Sequence, residues 1–177
     1  WFGALLDDVQ LMRGIRNSVL IGVGVICVSV PIGLAGAILL TQLYPRARSL
    51  FYTVVVSPVL TPGVIIGIST LVFWDRIGTA ANVGIHSFLY SGFFLSILGQ
   101  STFISAYCML IFLARLQRFD RTLEEAALDL GATHQQVFRQ ILVPFLRPAI
   151  LSSAVLAFLA SFENYNTTIF PISADNT

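Results

Sequence analysis

The residues with usable chemistry fall in two places. The first is "TLEEAALDLGATHQQVFRQILVP", Thr122 to Pro144, which sets the carboxylates of Glu124, Glu125 and Asp129 beside two alanines and a glycine. Thr122 followed three residues on by Glu125 is a capping-box pattern, which ties down free amides at a helix start. A helix is therefore expected over 123–130, ended by Gly131 in the left-handed conformation common at helix C-termini. Thr133 with Gln136 repeats the pattern, so a second helix should continue toward Pro144. On the first helix Leu123, Ala126, Ala127 and Leu130 share a face, and the alanines at its centre let another surface approach the backbone closely. On the second, Val137, Phe138, Ile141 and Leu142 form a broader stripe suited to packing on the chain's own helices.

The second place is "SFENYNTTIF", residues 161–170. Glu163 with Asn166 and Thr167, three and four residues on, makes a polar face on a helix, and Asn164 adjoins it. This chemistry is recognition rather than catalysis: carboxylates for a cation or a docking partner, and no catalytic residue is assigned. The two cysteines, Cys27 and Cys108, both lie in apolar runs and are expected to be small buried thiols. No disulfide framework or metal-ligand spacing is present, and no cofactor is expected. All ten basic residues are arginine. A phosphate-binding P-loop needs a lysine, so this sequence offers no such route to ATP hydrolysis.

The elements that must hold these residues are membrane helices. Charged residues make up 11% of the chain, against about 25% in a soluble domain, and the mean hydropathy is +0.83. Residues 18–40 form an uncharged run long enough for a bilayer core of about 30 Å. Residues 50–74 form another, with Pro58 and Pro62 four apart and Gly63 and Gly67 at the same spacing. Prolines remove backbone donors, so this span should be kinked or broken where it faces a pathway or a neighbouring helix. Residues 92–113 carry a polar stripe of Gln100, Ser101, Thr102 and Ser105, which can line a pore or bond a neighbour. The fourth span is 148–170, and residues 1–16, with Phe2, Leu5, Leu6, Val9 and Met12 at helical spacing, suggest an interfacial amphipathic helix. With a helix entering the membrane near Pro148, Glu163 stands roughly 22 Å along it, where a carboxylate needs water or a partner.

Seven arginines lie between spans one and two or three and four, and three lie on the other side. The segment 114–147 therefore faces the cytoplasm. A helix-turn-helix reader of DNA has this outline, and His134, Gln135, Gln136, Arg139 and Gln140 offer polar side chains. Tethers to membrane spans at both ends argue against a nucleic-acid partner. The chain opens at Trp1 and closes on "FPISADNT", and it is expected to be a piece of a longer protein.

Glu125-Ala126-Ala127, three residues, Gly131, nine residues, Ile141, one residue and Val143-Pro144 resembles the cytoplasmic "EAA" loop of the permease subunits of ABC importers. The one departure is Val143 in place of leucine. "SPVLTPGVIIGIS" and "SFENYNTTIF" are similar to the family's proline-rich span and the polar end of its next-to-last span, and the order most resembles the spermidine/putrescine-type permeases. The resemblance implies an all-α, polytopic fold in a bacterial or archaeal cytoplasmic membrane, with one further span at each end. It implies a non-enzymatic subunit partnered by separate ABC ATPase subunits, a second permease subunit and an extracytoplasmic solute-binding protein. By position, Glu125 and Asp129 would make polar contacts to the ATPase, Ala126 and Ala127 would allow close approach, and Gly131 would make the turn. Thr122, Ile141 and Pro144 would support that loop. Glu163, Asn164, Asn166, Thr167, Pro58 and Pro62 are the candidates for the substrate path. A polyamine is the expected solute; metal, sulfate, phosphonate and thiamine-like solutes are the alternatives, and an ATPase-independent channel or secondary transporter is the alternative class.

Overall fold

The computed structural model describes residues 9–80 and 91–164. Among these the chain is helical, with no strand. Helix α1 (Val9–Gln42) is followed by α2 (Pro45–Val56), a 3-10 turn (Ser57–Leu60) and α3 (Gly63–Ala80). Then come α4 (Gly92–Leu116), the short α5 (Thr122–Asp129) and α6 (His134–Val137), a π turn (Phe138–Leu142) and α7 (Val143–Phe162). Four stretches are long and apolar enough to cross a membrane: Met12–Gln42, Gly63–Ala80, Gly92–Leu116 and His134–Phe162.

Helix α4 is the centre, packed against α1 and α7, with α3 and the 3-10 turn on a further side. It is apolar around most of its circumference, and such a helix is stable only when surrounded. Phe112, Met109 and Ile104 are fully buried there, with Leu40 and Val25 of α1 and Leu146 of α7. The α1–α4 crossing is close because Gly33 sits at it. A Cβ on Gly33 would stand 2.8 Å from the Met109 backbone nitrogen and 2.9 Å from the Ser105 carbonyl oxygen. Small residues at such crossings are how membrane helices gain van der Waals contact where burial in lipid offers no hydrophobic gain. Leu20, Val23 and Ile32 of α1 and Leu151, Val155 and Leu159 of α7 point outward, as lipid-facing side chains do.

The second expected span is broken outright. Thr61 is extended (φ −89, ψ 131), because the residue before a proline is pushed out of the α region. Hydroxyls satisfy part of the backbone there: Ser57 Oγ donates to the Val54 carbonyl at 2.8 Å and Thr61 Oγ1 to the Ser57 carbonyl at 3.3 Å. The helical pieces begin at Pro45 and reach Ala80, beyond the expected 50–74.

Three other expectations need correction. Residues 9–16 form the first turns of α1 rather than a separate interfacial helix, since nothing between Val9 and Ser18 breaks the backbone; Phe2, Leu5 and Leu6 lie outside the described residues. Cys108 is buried, but Cys27 is exposed on α1. The helix beginning at His134 does not stop near Pro144 but continues to Phe162, where it ends short of the expected residue 170, with Glu163 as its cap rather than on a helical face. Pro144 has no N–H and its ring needs room at the carbonyl four residues back. The π turn at 138–142, in which the Val143 N–H reaches the Phe138 carbonyl, widens the backbone just before it.

Candidate functional site

At the arginine-rich end, α5 stands clear of the bundle with none of its residues buried. Leu123 is 54% exposed and Leu130 is 90% exposed, with exposed Ala126 between them, so the apolar face is uncovered. Glu125 and Asp129 are exposed beside it. Gly131 has φ +87 and ends the helix as expected; the Ala132 N–H returns to the Ala127 carbonyl at 3.0 Å and the Gly131 N–H to the Leu128 carbonyl at 2.9 Å.

The capping box expected at Thr122 does not form. Thr122 is the first helical residue, one position too late to cap, and the Glu125 N–H goes to the Arg121 carbonyl at 3.1 Å. Asp120 does the capping: its carboxylate accepts from the Thr122 N–H at 3.0 Å and from the Thr122 hydroxyl at 2.8 Å. Those two bonds hold the Asp120 carboxyl below the usual carboxylate range. The second capping box is present, with the Thr133 hydroxyl accepting from the Gln136 N–H at 3.3 Å and the Gln136 side-chain oxygen from the Thr133 N–H at 2.8 Å. Beyond it Val137 is buried and Leu142 packs on the core, whereas Phe138 is 40% exposed.

The loop is tied to the bundle by contacts with no signal in the sequence. Arg115 of α4 donates from Nε to the Phe145 carbonyl at 3.3 Å and lies over the Phe145 ring, 4.3 Å from its centroid. Phe119, in the turn before α5, meets the same ring edge-on at 5.1 Å. Arg121 reaches the Thr41 carbonyl at the end of α1 at 3.5 Å. Ile141 and Pro144 are half-buried in the continuous helix that leads away from α6.

Farther along α7 a cleft of about 320 Å³ opens between the broken span, α4 and the end of α7. Pro58 and Thr61 line one wall, Phe103 and Tyr107 another, and Glu163 and Asn164 the third. The two aromatics are edge-to-face, 6.5 Å between centroids. Of the six residues expected on a path, the structure therefore brings Pro58, Glu163 and Asn164 together. Pro62 sits at the head of α3 without lining the cleft, and Asn166 and Thr167 lie outside the described residues. Glu163 caps the C-terminal end of α7, whose free carbonyls add negative potential to that of the carboxylate. A carboxylate opposite aromatic faces suits a cation. Tyr107 and Phe103 were missed because four-residue spacing of aromatics in an apolar span reads as ordinary packing.

A smaller recess of about 150 Å³ lies on the other side of Glu163, lined also by Ser18 of α1 and Gln100 of α4. Gln100, one of the expected polar stripe, is buried and accepts a hydrogen bond from the Ser161 hydroxyl, so there the stripe bonds a neighbouring helix. Ser101 is buried as well, while Thr102 is exposed toward the broken span.

Three curated relatives cover nearly all of this chain. The putrescine transport system permease protein PotI of Escherichia coli is 32% identical over 169 residues, covering 93% of this chain and 57% of that protein. A spermidine/putrescine transport system permease protein PotC homolog of Mycoplasma genitalium is 28% identical over 163 residues, covering 92% and 55%. The spermidine/putrescine transport system permease protein PotC of Escherichia coli is 25% identical over 170 residues, covering 96% and 61%. The chain thus spans a little over half the length of these relatives. The model of the binding-protein-dependent transport system inner membrane component matches residues 7–174, and the chain belongs to that family.

Proposed function

We propose that this chain forms the core of one permease subunit of an ATP-driven importer, which moves a polyamine such as putrescine or spermidine across the cytoplasmic membrane without altering it. The observation that carries the reading is the exposed α5 face of Leu123, Ala126 and Leu130, closed by Gly131 at the arginine-rich end. Apolar side chains on a helix outside the bilayer need a protein to cover them. An ABC ATPase is the partner assigned, since it supplies the P-loop that this sequence lacks. Glu125 and Asp129 make its polar contacts, and Ala126 and Ala127 allow its approach. Thr122, Ile141 and Pro144 support the loop, Thr122 through its bonds to Asp120. Pro58, Pro62, Glu163, Asn164, Asn166 and Thr167 are assigned to the substrate path. The polyamine is supported by the names of the relatives and by the pairing of Glu163 with aromatic walls. A second permease subunit completes the pore, and an extracytoplasmic binding protein delivers the solute. Nucleotide drives the cycle only by binding the two conformations with different affinity.

The test uses the intact importer. Cysteines at Ala126 and in the ATPase groove should crosslink, and labelled putrescine should enter reconstituted vesicles only with ATP. A failed crosslink in a complex that still co-purifies would assign the α5 face to another partner. Uptake without the ATPase would make the protein a channel or secondary transporter.

A further inference from the structure

At the arginine-rich end, with no residue of α5 or of the Glu163 cleft in its lining, the ends of α1 and α4 and the start of α2 enclose a groove of about 520 Å³. Its deeper wall is apolar, from Leu40, Leu43 and Leu113, and its mouth carries Arg48, Ser49 and Gln117. Leu40 is 1% exposed and Leu113 is 8% exposed, so the apolar wall is part of the packed core rather than a loose surface.

The depth of the groove is fixed by its neighbours. Tyr44 is 85% exposed and Tyr52 is 40% exposed, flanking Arg46 and Arg48 on the same short stretch. Interfacial tyrosines and cytoplasmic arginines mark headgroup level in a membrane protein. Arg118 and Arg121 follow α4 at this end, and the carboxylate of Asp120 between them is engaged with Thr122. Arg48 is the one charged residue in the lining of the groove, so its mouth is positive, with an apolar wall below it. Basic recesses between helices on the cytoplasmic side have the chemistry to hold an anionic lipid headgroup.

We propose that this groove is a binding site for one anionic phospholipid, its phosphodiester held by Arg48 with Ser49 and Gln117 and an acyl chain lying along Leu43, Pro45 and Tyr52 over the buried Leu40 and Leu113. Arginine suits the role because its planar fork grips a phosphate bidentately. The occupant is a lipid rather than free phosphate because Leu40, Leu43, Pro45 and Leu113 make the groove predominantly apolar. A lipid here would brace the α1–α2 turn, where α2 begins at Pro45 with no side-chain cap.

The experiment is native mass spectrometry of the intact importer titrated with phosphatidylglycerol or phosphatidylcholine. Phosphatidylglycerol should be retained in preference, and Arg48→Gln should reduce its retention about fivefold, the effect of one surface arginine. Arg48→Lys should restore most of it, and Arg76→Gln, on the other side of the membrane, should leave it unchanged. Ser49→Trp, which fills the groove and keeps the charge, should also exclude the lipid. Equal retention of the two lipids, no response to Arg48→Gln, or displacement by millimolar inorganic phosphate would each overturn the proposal.

Discussion

Thr122 differs by one hydrogen-bond direction from what its spacing to Glu125 suggests, and that direction has a measurable consequence. Thr122 donates, so the start of α5 is held by a carboxylate rather than by a hydroxyl. The folded-state pKa of Asp120 is lowered, first by the Thr122 side-chain bond and then by the Thr122 backbone bond. A group with a depressed folded pKa contributes its stabilisation above the ordinary carboxylate pKa, about 3.9, and loses it as the pH falls through the folded value. Hydrogen exchange at the amides of Thr122 and Leu123, corrected for intrinsic rate, should be slow at pH 6 and should speed up severalfold below about pH 4. In Asp120→Asn the amide oxygen still accepts a bond but does not titrate, so that acid step should vanish. An unchanged acid step in the variant would show that another group controls the turn.

At the scale of elements, α1 and α4 were legible because an uncharged run of that length has one stable structure in a bilayer. The interruption at Pro58 and Pro62 was legible because proline acts through its own backbone. The continuity of α6 with α7 was not, since Pro144 reads as a stop until the π turn at 138–142 is seen to make room for it. The helix proposed for docking and its end at Gly131 were readable from local signals, though its capping was not. The Arg115–Phe145 contact and the Phe103–Tyr107 wall were not, because they depend on which helices become neighbours. Packing makes its own prediction at Gly33. Leucine there collides with backbone atoms of α4, which cannot move aside as a side-chain tip can, so Gly33→Leu should cost about 1–3 kcal/mol and lower the Tm of the detergent-purified protein by several degrees. Gly14→Leu is the control, with nothing within 4 Å of the added carbon. Equal Tm values for the two variants would mean that α1 and α4 do not cross at Gly33.

Across the whole molecule, the proposed docking face and the Glu163 cleft lie at opposite ends of α7, a helix of 20 residues and so about 30 Å long. The two ends are joined by one continuous helix, and Arg115 and Phe119 clamp its arginine-rich start through Phe145. Such an arrangement separates two kinds of damage. Gly131→Ala meets no steric obstacle, but it forces an L-residue to φ +87 at a cost of about 1–2 kcal/mol, or else re-aims α5. It should lower the maximal uptake rate and the ATPase stimulation together, by up to about tenfold, and leave the half-saturating polyamine concentration unchanged. Glu163→Gln removes charge from the cleft and should do the reverse. It should raise the half-saturating concentration by about tenfold to a hundredfold, in keeping with a charge-assisted hydrogen bond worth roughly 1.5–3 kcal/mol, while the complex with the ATPase remains intact. Each variant thus checks the other, because a merely unstable protein would lose rate, affinity and assembly at once. Kinetics of labelled putrescine uptake in reconstituted vesicles, measured beside ATP hydrolysis, resolve the two patterns. If Glu163→Gln changed only the maximal rate, the carboxylate would belong to the conformational cycle rather than to solute recognition.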